Sequence, residues 1–68
     1  MHEKIKDIQN GFWEAYKKFT KSLDVDQYTK DLEKIGKKYA HDPIMREFCD
    51  DLSWSWSKVI NGIKERAL

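Results

Sequence analysis

The chain has 68 residues, of which 40% are hydrophobic, 13% aromatic and 37% charged, and its formal net charge is +1. This composition excludes a disordered chain and describes one domain, near the lower size limit at which an apolar core folds without disulfides or metal. The lone Cys49 excludes an internal disulfide, no apolar run approaches the roughly 20 residues of a membrane span, and the near-neutral charge selects no class of partner.

Only three glycines and one proline punctuate the sequence, which favours long helices. In the first segment Ile5, Ile8, Phe12, Ala15, Tyr16, Phe19 and Leu23 recur at three- and four-residue spacing. Such a stripe, about 100° wide, predicts a helix over about 3–22. The stretch SLDVDQY breaks it and offers Asp24 or Asp26 as N-cap for a second helix over about 26–40, with Val25, Tyr28, Leu32, Ile35 and Tyr39 on its apolar face. In AHDPIM, Asp42 can cap a third helix and Pro43 can take its first position, where the missing N–H is not needed. That helix, over about 43–66, carries Met45, Phe48, Cys49, Leu52, Trp56, Val59, Ile60, Ile63 and Ala67.

The expected fold is therefore all-α, a small three-helix bundle with a long third helix. Three serines between positions 53 and 57 lower helix propensity, so a kink or break near 51–57 is the alternative. At about 1.5 Å per residue an unbroken third helix is roughly 36 Å long, against roughly 21 Å for the second. In an up-down-up arrangement its last turns overrun the second helix and leave Ile60, Ile63 and Ala67 without neighbours in the chain. A break, a steep crossing or a second chain is the expected remedy.

The stretch LSWSWSK places Trp54 and Trp56 two positions apart, which in a helix puts them roughly 200° apart. Trp56 joins the apolar stripe, and Trp54 faces outward with Glu47, Asp50, Ser57, Lys58 and Asn61. An exposed indole is an enriched hot-spot type, so this set is the candidate surface for another protein or a second copy of the chain. One indole offers only about 150–250 Å², whereas a stable interface needs about 800 Å² per side, so Trp54 requires further contacts. Trp13 falls on the edge of the first stripe, as a core-boundary residue does. Asp42, Glu47, Asp50 and Asp51, with Arg46 the only cation among them, suit either the positive end of the third helix dipole or a docking face for a basic partner.

A second reading is a nucleic-acid-binding accessory protein using Lys17, Lys18, Lys21, Lys30, Lys34, Lys37 and Lys38, seven lysines in a region with four acids. Against it, Lys30 with Glu33 and Lys34 with Asp31 have the spacing of intrahelical pairs, and Tyr16, Tyr28 and Tyr39 lie on apolar stripes. A helix-turn-helix docking would also turn Glu47 and Asp50 toward phosphate. His2, His41, Asp42 and Cys49 lack the spacing of a metal site, and Cys49 reads as a small buried hydrophobe. There is no phosphate-cradling glycine loop, nucleophile elbow or acid–base pair, so no enzyme activity, cofactor or metal is expected. The opening MHEKIKDIQ lacks the apolar run of a signal peptide, which makes the cytoplasm the expected location.

Overall fold

In the computed structural model, which describes residues 2–67 and side chains as far as Arg66, three helices pack against one another: α1 (His2–Ser22), α2 (Val25–Lys38) and α3 (Pro43–Ala67). Their boundaries have local causes. α1 ends where Leu23 adopts a left-handed φ of 55°, a conformation usually left to glycine, while its N–H donates to the Phe19 carbonyl at 2.7 Å. Leu23 consequently leaves the apolar stripe to which its spacing assigned it and is 48% exposed. Asp24, rather than Asp26, caps α2, accepting the Gln27 N–H at 3.1 Å. α2 stops at Lys38, short of Ala40, because Tyr39 leaves the helical backbone. Asp42 then caps α3 through the Met45 N–H at 3.2 Å, with Pro43 as its first residue.

α2 returns antiparallel to α1, and α3 runs parallel to α1 along the open side of the pair. Ile8, Phe12, Tyr39, Met45 and Cys49 form one buried cluster, and Ala15, Phe19, Tyr28 and Ile60 form a second. Leu32 packs against both. The first is tied at its surface by Asp7, whose carboxylate accepts the Tyr39 hydroxyl at 2.6 Å and the Lys38 ammonium at 2.7 Å, and by a Lys4–Asp42 ion pair at 2.9 Å.

α3 is helical throughout, and the break considered for 51–57 does not occur. Ser57 donates its hydroxyl to the Ser53 carbonyl at 2.7 Å, so the serine satisfies itself along the helix instead of opening it. The serines' propensity deficit, a few tenths of a kcal/mol each, is outweighed by burial of Leu52, Trp56 and Ile60 around them. The overrun of apolar residues does not arise either. Ile60 is buried against Ala15, Phe19 and Tyr28, and Ile63 packs on the same cluster. The cover comes from the C-terminal half of α1, which at 21 residues is roughly 31 Å long, together with Val25 and Tyr28 at the start of α2. Ala67, the last member of the stripe, lies outside the residues whose side chains are described. Val59 was expected on the buried face but is 45% exposed at its margin. No helix among the described residues is long and apolar enough to cross a membrane.

Candidate interaction site

Because α3 continues as a helix through its serines, the indole of Trp54 is carried to the outside, where it is 73% exposed. It stands over a shallow cavity of about 380 Å³ with Asp50, Ser53 and Ser57, the residues one turn before, beside and one turn after it. The same three residues form one wall of an adjoining cavity, also about 380 Å³, between α3 and α2. Its other wall is Thr29, Glu33 and Gly36 of α2, and Phe12, Tyr28, Leu32 and Cys49 line it from the core side. The two hollows make one groove with an apolar back, small side chains on both walls and Trp54 on its edge.

The electrostatics of this groove have one sign. No lysine, arginine or histidine lines either cavity. Glu33, Glu47, Asp50 and Asp51 are exposed, and among the described residues none is paired with a cation. Within the groove, burial and then the charge of Asp50 push the pKa of the Cys49 thiol upward, which disfavours the thiolate. Tyr28 is only 6% exposed and its hydroxyl has no hydrogen-bond partner; burial raises its pKa as well.

Of the residues expected to surround Trp54, Asp50 and Ser57 adjoin it, with Ser57 half-buried. Glu47, Lys58 and Asn61 are exposed on α3 but line neither cavity. The lysines divide: Lys17 pairs with Glu14 at 2.8 Å and Lys38 with Asp7, while the expected Lys30–Glu33 and Lys34–Asp31 pairs do not form. Asp31 instead accepts from the Gln27 side chain at 2.9 Å. Lys17, Lys18 and Lys21 border a separate hollow near the end of α1. Tyr28 and Tyr39 are buried, which removes them as base-stacking platforms. Asp42 is occupied as a helix cap and in its ion pair with Lys4, and no three His, Cys, Asp or Glu side chains converge among the described residues.

Two features were not foreseen. The α2 wall of the groove could not be assigned, since periodicity says which residues face inward but not which stand opposite one another on two helices. Ser53 and Ser57, small residues one turn apart, and Gly36 within α2 were its available signals. The other is an aromatic cluster across α1 and α3, where Trp13 stacks on Tyr16 at 5.4 Å and Tyr16 meets Trp56 at 5.0 Å between ring centroids. It accounts for the half-exposed Trp13 as a lid on the core, with the Lys17 ammonium 6.0 Å from its ring. Comparison of the chain with protein-family models, curated proteins and solved structures gave no match.

Proposed function

We propose that this protein is a non-enzymatic interaction module that docks another protein on Trp54 and the adjoining α2–α3 groove. The observation that carries this reading is the 73% exposed indole standing at the edge of an open groove rather than alone on a convex surface. An aromatic anchor beside a hollow is the arrangement in which interface hot spots concentrate. The groove adds contact surface beside the indole, on residues of both α2 and α3. The test is a photo-crosslinking amino acid at position 54 in the full chain in its native cells, with the same group at exposed Lys6 as control. A discrete adduct from position 54 and not from position 6 is expected. Its absence from both positions, or equal labelling from both, overturns the reading.

A second reading, nucleic-acid binding, is favoured by the exposed Lys18, Lys21, Lys30, Lys34 and Lys37, which no carboxylate among the described residues neutralises. It predicts binding to mixed oligonucleotides that weakens steeply with salt and is lost in Lys34→Glu/Lys37→Glu. Absence of any mobility shift at low salt removes it.

A further inference from the structure

We infer that the occupant of the α2–α3 groove is a basic amphipathic helix of a different protein, an inference that rests on the docking reading above. Three observations carry it. The first is charge: the groove is bordered by Glu33 and Asp50, contains no cation, and neither carboxylate is engaged within the chain. A segment bearing lysine or arginine beside its apolar stripe complements that rim. The second is shape. Beside the two carboxylates the walls carry small side chains, Thr29 and Gly36 on α2 and Ser53 and Ser57 on α3, which lets a third helix lie close against both while its apolar residues meet Trp54.

The third observation is Gly36 itself. Nothing lies within 4 Å of the position its Cβ would occupy, and its backbone is ordinary helix, so neither packing nor φ within this chain calls for glycine. Alanine there would strengthen α2, and the glycine keeps the groove open instead.

A second copy of the chain fits less well. A two-fold contact through this groove sets Glu33 and Asp50 against their own counterparts, like charge against like. The basic surface that would complement them, Lys18 and Lys21, is on α1, so copies would join head to tail and not through a two-fold contact of the groove with itself.

The test is an amide and indole N–H chemical-shift titration of the labelled full chain. The probes are synthetic amphipathic peptides about 18 residues long, long enough to form a helix. One has a leucine stripe and a lysine polar face; a second has the same stripe with a glutamate face. The lysine peptide is expected to shift the Trp54 indole and the amides of Gly36, Ser53 and Ser57, more weakly as salt rises. Glu33→Gln/Asp50→Asn should cost about tenfold in affinity, as for two rim charges. Gly36→Ala should weaken binding while Gly62→Ala, another glycine with nothing near its Cβ, should not. Equal binding of the glutamate peptide, shifts elsewhere on the surface, or no binding of either peptide overturns the inference. The crosslinking experiment separates the two ideas. A position-54 adduct to an acidic or neutral segment, or to a second copy, refutes the basic partner while leaving the docking surface standing.

Discussion

The seam between α1 and α2 and the seam between α2 and α3 each contain a glycine, and the two glycines serve opposite ends. At Gly11 a Cβ would stand 2.6 Å from Ile35 Cδ1, so the Ile35 side chain fills the space that a side chain there would take. At Gly36 a Cβ would meet nothing within 4 Å. The first seam is also tied by Asp7 to Lys38 and Tyr39, whereas among the described residues no side-chain hydrogen bond or ion pair spans the second. One seam is closed in the service of the fold, and the other, packed through Tyr28, Leu32 and Tyr39, leaves a groove beside Gly36.

The contrast breaks most completely at Phe12, which is 1% exposed, packs in the first core cluster and lines the groove from behind. Phe12→Ala should cost about 3–5 kcal/mol, comparable to the whole stability of a domain this small. Circular dichroism should find the variant largely unfolded at 25 °C. A cooperative transition close to the native one would mean that the two seams hold independently.

Gly11→Ala and Gly36→Ala should move stability in opposite directions. At Gly11 a helix-propensity gain of up to about 1 kcal/mol competes with overpacking of about 1–3 kcal/mol, and the variant should be less stable by about 1 kcal/mol. At Gly36 only the gain applies, about 0.5–1 kcal/mol. Urea unfolding of the pair measures both, and two stabilised variants would show that Ile35 has room to turn aside and that the first seam is slack.

Tyr28 sharpens the same contrast from inside the groove. Its buried hydroxyl has no partner, so Tyr28→Phe should be stabilising by up to about 1 kcal/mol. A loss of stability by the same urea assay would reveal a water or other partner for that hydroxyl.

The smallest expected effect is electrostatic. Hydrogen bonds from Lys38 and Tyr39 hold the Asp7 carboxyl below its ordinary range, and those from Lys4 and the Met45 N–H do the same for Asp42. Since the folded-state values are depressed, their contribution is fully present above the unfolded carboxyl pKa, near 4, and is lost as pH falls through the lower folded values. The melting temperature should drop across that acid range, and Asp7→Asn should shallow the drop. An unchanged acid profile in Asp7→Asn would show that this surface clamp contributes nothing, as exposed pairs often do not.

Helix existence and most boundaries were legible because their causes are local: the 3.6-residue stripes, the Asp24 and Asp42 caps and Pro43 at the start of α3. The same periodicity put Trp54 outside and Trp56 inward, since the angle between neighbours on a helix is set by the backbone alone. Errors clustered where a residue's fate depends on something non-local or on backbone detail. Leu23 matched the stripe in spacing but lies beyond the helix end in a left-handed conformation. Lys30 and Lys34 had carboxylates at helical spacing but form no ion pair with them.

The sequence by itself thus determined three amphipathic helices, their caps and the outward face of Trp54, because hydrogen bonding and side-chain direction within a helix involve residues only a few positions apart. Tertiary structure alone decided that α1 covers the end of α3, that Trp13, Tyr16 and Trp56 meet, and that Trp54 borders a groove walled by Gly36 and two serines. Those outcomes depend on how far and at what angle one helix lies across another, a balance struck by all the side chains between them at once.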